Sequence, residues 1–311
     1  MRLLGYALIL LILPALRVLG SELTIADINF SLAVFSKNLT QQSVAQIFQD
    51  SRGTLWFVTQ EGLNRYNGHE LENYRFSTTN SNSLTSDSVT GIVEDFNGDL
   101  WISTLGGGLN KYNPITNNFT AIFSDPENPN SLYSNDVYSL FVAASGDLWI
   151  GHLNGLSVYS HGSQSFTHYI SNSVDIPYLG EVSSFTQTPD GSIWAATQSS
   201  GLLQIEPTSH RISVHSYDPD NESTISSNSL ARVTTDRQGR VWLASRESGV
   251  SLFDPKTKKA INFQHSPIDN ESLSSNRTYD VYEDLKGQIW IGTYEGLNLY
   301  NPRHNNFIRY T

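Results

Sequence analysis

The chain has 311 residues, no cysteine and a formal net charge of −11 at pH 7. The lack of cysteine excludes disulfides, thiol chemistry and any cysteine-ligated metal site. An acidic chain without a Lys/Arg cluster is not expected to bind nucleic acid.

The N-terminus has the pattern of a secretory signal. Arg2 supplies a positive charge, residues 3–16 are nearly all apolar, and residues 18–20 offer a cleavage site before Ser21. The apolar run is shorter than the roughly 20 residues that a membrane-spanning helix needs. We therefore predict a signal peptide over residues 1–20 and an exported, periplasmic domain over residues 22–311. An uncleaved anchor to the inner membrane is the alternative.

A six-fold repeat then occupies the mature chain. All six tryptophans fall at one position of it, spaced 45 or 48 residues apart: Trp56, Trp101, Trp149, Trp194, Trp242 and Trp290. Each has a glycine three residues earlier and another six or seven residues later. A period of this length indicates an array of like units. We interpret the tryptophans as the packed core of these units, because a large flat ring fills space between neighbours.

Each repeat predicts four short antiparallel strands. In the second repeat, residues 88–95, 100–104, 109–112 and 119–123 have strand character, and turns containing Gly98 and Gly106 separate the first three. Four such strands followed by a polar connection describe one blade of a β-propeller. The fold prediction is therefore an all-β propeller of six four-stranded blades.

One segment falls outside the six repeats. Residues 29–36 match residues 118–124, the outer strand of the second repeat, but no inner strands precede them. The last repeat has its own outer strand at residues 306–310. The orphan strand favours an incomplete seven-bladed ring, and a closed six-bladed ring is the alternative. An incomplete ring would expose blade faces and favour aggregation or a homodimer.

The repeats resemble a known family. Residues 50–66 and 287–300, and the Asn-Ser-Leu linkers at 82–84 and 130–132, are similar to two-component regulator propeller repeats. The resemblance implies the periplasmic sensor of a membrane signalling protein whose output is a histidine kinase or a diguanylate cyclase. No kinase or cyclase motif occurs here, so the resemblance implies a chain without catalytic activity, associated with a signalling partner or lacking its output domain. It implies no cofactor.

A ligand site is sought where the repeat pattern breaks. Three residues after each tryptophan stands Thr or Ser, except at His152, and the loop that follows varies. Loops on one face of a propeller ring its channel, where ligands bind. The expected rim, suited to a small polar ligand or a carbohydrate, comprises Glu61, His152, Arg246, Glu247, Tyr294 and Glu295. Each of these is also explained as an ordinary exposed loop residue.

Two other functions remain open. Residues 190–194 and Gly201 are similar to the repeats of streptogramin lyases, which need a histidine and acidic residues around a divalent metal. Only His152 falls at an expected channel position, and no linker has the spacing of a calcium loop, so no metal site is predicted. The other alternative is a scaffold for protein partners.

Overall fold

The computed structural model describes residues 33, 35–171, 178–206, 209 and 211–310. These residues form 24 strands in six antiparallel sheets of four, and the one helical element among them is a 3-10 turn at Ser36–Asn38. The sheets follow one another as blades around a ring. The predicted all-β propeller with six four-stranded blades is confirmed.

In every blade the strands pair in sequence order, with the first strand innermost. Blade 1 comprises β1 (Gln46–Gln49), β2 (Leu55–Thr59), β3 (Gly62–Tyr66) and β4 (Leu71–Tyr74). Blade 2 comprises β5 (Val89–Glu94), β6 (Leu100–Thr104), β7 (Leu109–Asn113) and β8 (Asn118–Ile122). Blade 3 comprises β9 (Val137–Val142), β10 (Leu148–His152), β11 (Gly155–Ser160) and β12 (Ser165–Ile170).

The second half of the ring repeats this order. Blade 4 comprises β13 (Val182–Gln187), β14 (Ile193–Thr197), β15 (Leu202–Ile205) and β16 (Ile212–His215). Blade 5 comprises β17 (Leu230–Thr235), β18 (Val241–Ser245), β19 (Val250–Asp254) and β20 (Lys259–Phe263). Blade 6 comprises β21 (Thr278–Glu283), β22 (Ile289–Thr293), β23 (Gly296–Asn301) and β24 (Asn306–Tyr310).

The hydrophobic core lies between consecutive blades. The tryptophan of one blade packs against apolar side chains of the next. The contact is edge-on where Trp56 meets Tyr112, with 5.1 Å between ring centroids, and where Trp242 meets Tyr300, with 4.9 Å. Trp290 of blade 6 instead contacts Tyr310 of its own blade. Five tryptophans are at most 5% exposed, whereas Trp290 is half-buried.

A buried acceptor fixes the indole in most blades. In four blades an aspartate just before the first turn accepts the indole N–H, at 2.8 Å for Asp95 and Trp101, and its other oxygen accepts backbone N–H groups of the turn. Blade 4 uses the hydroxyl of Thr188 in the same place. The carboxylate thus satisfies both the turn and a ring N–H that would otherwise be buried without an acceptor.

The structure places part of the predicted orphan strand differently. Residues 29–32 and 34 lie outside the described residues. Phe35 stands in a turn and Ser36 begins the 3-10 turn, so the end of the predicted strand is not extended. The ring of Phe35 packs on Tyr66 of blade 1 with 4.3 Å between centroids.

Candidate functional site

The innermost strands of the six blades lie around a central channel. It forms a cavity of about 810 Å³ that opens to solvent. Side chains of these strands alternate between the channel and the blade interior, as the two-residue period of a strand requires. Residues from the innermost strands of all six blades line the channel.

The loops between second and third strands lie at one mouth of the channel. In blades 2, 4, 5 and 6 the backbone N–H just after the second strand donates to a carbonyl at the start of the innermost strand, as Gln198 does to Glu181 at 2.9 Å. These bonds hold each loop beside the channel. The mouth is thus built from two segments of each of these blades.

An ion pair between blades 4 and 5 lies at this mouth. The guanidinium of Arg246 lies 3.2 Å from a carboxylate oxygen of Glu181, and the two side chains are 43% and 22% exposed. Tyr138 of blade 3 also lines the channel, and burial together with the carboxylates of Asp136 and Glu181 raises the pKa of its phenol. Acidic, basic and phenolic groups therefore converge on one side of the mouth.

A second ion pair joins blades 5 and 6. The guanidinium of Arg232 donates to the carboxylate of Asp280 at 3.1 Å, and both residues are on innermost strands. Tyr279, beside Asp280, lines the same cavity with a half-exposed ring. The channel from blade 3 to blade 6 thus offers hydrogen-bonding groups together with aromatic faces.

The structure brings one of the six predicted rim residues into the channel, and that residue is Arg246. Glu61 is exposed beside Arg75, 3.7 Å from its guanidinium. Tyr294 lies under the guanidinium of Arg277, and Glu295 borders a separate cavity that includes Arg309. Glu247 is exposed next to Arg246 but does not line the channel.

His152 is moved from the rim to the blade interior. Its imidazole is buried, with Nε2 3.0 Å from the hydroxyl of Ser157 and Tyr133 stacked on the ring. The threonines at equivalent positions explain this, because their hydroxyls point inward to the carbonyl that closes the loop, as Thr104 does to Gly108. Burial lowers the pKa of His152 to about 4.

The channel residues that sequence reasoning missed lie on the innermost strands rather than on the loops. They are Tyr138, Arg232 and Tyr279, with Glu181 just before β13, and Asp280 joins them as the ion-pair partner of Arg232. A signal for them exists, since Arg232 and Asp280 are 48 residues apart, which is one repeat. Opposite charges at equivalent positions of consecutive blades predict neighbours around the channel.

The described ranges contain neither a metal-binding cluster nor a membrane-spanning helix. No group of three or more His, Asp or Glu side chains there is arranged to hold a metal ion. None of those residues belongs to a helix with the length and apolar character needed to cross a membrane.

Comparison with protein families supports the resemblance of the repeats. The family model for the two component regulator propeller matches residues 83–106, which span the end of a linker and the first two strands of blade 2. The predicted resemblance to these repeats is thereby confirmed at the level of one repeat. No curated protein has significant sequence similarity to the chain.

Solved structures share the fold. The extracellular domain of the hybrid two component system BT3049 from B. thetaiotaomicron superposes with a TM-score of 0.72 at 24% identity over 86% of this chain. This chain spans only 35% of that one. Virginiamycin B lyase from Staphylococcus aureus superposes with a TM-score of 0.62 at 13% identity, covering 85% of this chain and 82% of the lyase. Identities this low show a common propeller fold.

Proposed function

We propose that this chain is the ligand-sensing propeller of a bacterial signalling protein that acts outside the cytoplasm. The observation that carries the proposal is the channel mouth, where Arg246, Glu181 and Tyr138 converge from three blades. The repeat match and the structural likeness to the extracellular domain of a hybrid two component system support it. The histidine kinase or diguanylate cyclase output then lies in a part of the protein other than these blades.

The channel mouth suits a small polar ligand, with a carbohydrate as the first choice. Because the Arg246–Glu181 pair is partly exposed, it contributes only about 0–1 kcal/mol, so exchanging one partner for a ligand hydroxyl costs little. Carboxylate and guanidinium groups make strong charge-assisted hydrogen bonds to such hydroxyls. The half-exposed ring of Tyr279 adds an apolar face against which a sugar can pack.

Binding between blades provides a route for a signal. The ion pairs Arg246–Glu181 and Arg232–Asp280 each join two blades. A ligand that replaces these contacts acts on the relative position of blades 4, 5 and 6. The ligand then favours one arrangement of these blades over another, and a membrane partner can bind the two arrangements with different affinity.

The proposal is tested by thermal shift of the purified chain against a panel of mono- and oligosaccharides, with metal content and streptogramin cleavage measured on the same preparation. We expect at least one sugar to raise Tm and no cleavage. Streptogramin turnover would contradict the proposal in favour of the lyase function that the likeness to virginiamycin B lyase offers. The absence of both a thermal shift and streptogramin turnover would also contradict the proposal. That result would favour a scaffold for protein partners.

A further inference from the structure

Blades 6 and 1 face each other without the packing that joins every other pair of neighbours. Innermost and second strands of consecutive blades pack together from blade 1 through to blade 6. Among the described residues, no comparable packing joins β21 or β22 to β1 or β2. We call this junction the seam.

The face that blade 6 turns to the seam is built like a blade interface. Tyr282 pairs with Trp290 across β21 and β22, as Phe48 pairs with Trp56 in blade 1. Phe48 packs into the core between blades 1 and 2, whereas Tyr282 is 60% exposed. At Gly292 an added Cβ would meet nothing within 4 Å, while at the equivalent Gly151 it would be 2.4 Å from a carbonyl of the next blade.

The face that blade 1 turns to the seam has the same character. In blade 2, Ile92, Leu100 and Tyr112 receive the tryptophan of the preceding blade and are at most 1% exposed. The equivalent residues of blade 1 are Ile47, Leu55 and Tyr66. Ile47 is 64% exposed, and the other two are only partly buried. Two apolar faces that lack a blade between them therefore border the seam.

Phe35 makes a contact with blade 1 that, elsewhere in the ring, is made by the outermost strand of the preceding blade. Within the ring, the aromatic residue of a third strand touches the outermost strand of the blade before it, as Tyr300 touches Phe263 with 5.6 Å between centroids and Tyr112 touches Tyr74 with 5.9 Å. Phe35 makes this contact with Tyr66 at 4.3 Å. At the seam, Phe35 thus supplies the contact that an outermost strand makes elsewhere. The faces of blades 6 and 1 still lack the inner strands against which they would pack.

We propose that the seam receives a seventh blade, made of three further strands of this same repeat, with Phe35 marking the position of its outermost strand. The incoming strands present an aromatic residue to Trp290 and a tryptophan to Ile47 and Tyr66. A second copy of the whole chain fits less well, because the seam is bordered on both sides by blades of the same ring. The inference does not depend on which ligand the channel binds.

The test supplies three such strands as a copy of part of this chain. A copy of residues 265–301, which comprises the linker and the first three strands of blade 6, is appended after Thr311. We expect Tm to rise by several degrees and Trp290 to lose its accessibility to acrylamide, measured as the difference from a Trp290→Phe variant. The control is the same extension with Val281→Asp and Tyr300→Asp in the copy, which removes the face that meets Trp290.

Equal Tm values for the chain and both extensions, with Trp290 still quenched, would overturn the proposal. So would a concentration-dependent dimer of the unextended chain in light scattering with Trp290 protected, because a second copy would then fill the seam. If the extended protein does not fold, two variants of the unextended chain still test the proposal. Trp290→Ala should lower Tm much less than Trp242→Ala, and equal losses would show that the seam is already packed.

Discussion

His152 predicts a specific sensitivity to acid. Its imidazole is buried against Ser157 and Tyr133, and Nδ1 of His168 contacts the same serine hydroxyl. Burial lowers the pKa of His152 from 6.5 to about 4. As pH falls below 6.5, the unfolded chain takes up a proton that the folded chain still refuses. The free energy of unfolding therefore decreases between pH 6.5 and pH 4 and is unaffected by this group above that range.

The magnitude follows from the shift. The difference between 6.5 and about 4 is roughly 2.5 pKa units, and at about 1.36 kcal/mol per unit this amounts to about 3 kcal/mol at pH 4. The pKa of the partly buried His215 is also lowered, by burial and by the charge of Lys258. The contribution of His215 to the pH dependence cancels when the parent chain is compared with a His152 variant, because both contain His215.

The assay is urea unfolding at pH 7, 6, 5 and 4 for the chain and for His152→Thr. Threonine is the residue at four of the equivalent positions and carries no titrating group. The variant should lose less stability on acidification, by about 3 kcal/mol, whatever its stability at pH 7. Exposed His304→Thr is the control and should follow the parent chain. Parallel pH profiles for the parent and His152→Thr would refute the reasoning.

The other predictions concern packing, backbone and export. Trp149→Ala removes a buried ring between blades 3 and 4 and should cost roughly 3–5 kcal/mol in urea unfolding; a loss below about 1 would contradict this. Gly249→Ala places a Cβ 2.1 Å from the carbonyl oxygen of Phe263 at a φ of +74° and should destabilise more than Gly53→Ala, which has similar φ and open space. Equal costs for the two glycines would contradict the steric account. Residues 1–40 fused to a reporter active only in the periplasm should give activity, and retention in the cytoplasm would contradict export.

The fold was predictable because the repeat is regular. The same tryptophan, glycines and turn residues recur six times, and a unit that buries its faces only against its neighbours must form an array. Strand positions followed from two-residue alternation and from the turns. The aspartate–indole hydrogen bonds were not predicted. The sequence shows that an aspartate recurs before the turn in several repeats, as Asp95 does, but not that its carboxylate points inward to the tryptophan, as it does to Trp101.

The candidate site was predictable only in part. The loops that vary predicted a location at one mouth of the channel, and the structure places Arg246 of these loops in the channel. His152 was not located correctly, because the hydroxyl residues at its position serve loop closure inside the blade. Glu181 lies outside the variable loops between second and third strands, and its pairing with Arg246 spans 65 residues, which is not a multiple of the repeat. Which side chains from different blades contact each other depends on the three-dimensional arrangement of the blades, and the repeat spacing alone does not predict it.

The central claim is that a small polar ligand binds at the channel mouth. Its most direct test is calorimetric titration of the chain, of Arg246→Met and of Glu247→Gln with the sugar that gives the largest thermal shift. The account predicts that Arg246→Met weakens binding at least about tenfold, or 1.4 kcal/mol, while Glu247→Gln, beside the channel but outside it, binds like the parent. Unchanged affinity in Arg246→Met, or an equal loss in both variants, would contradict the account.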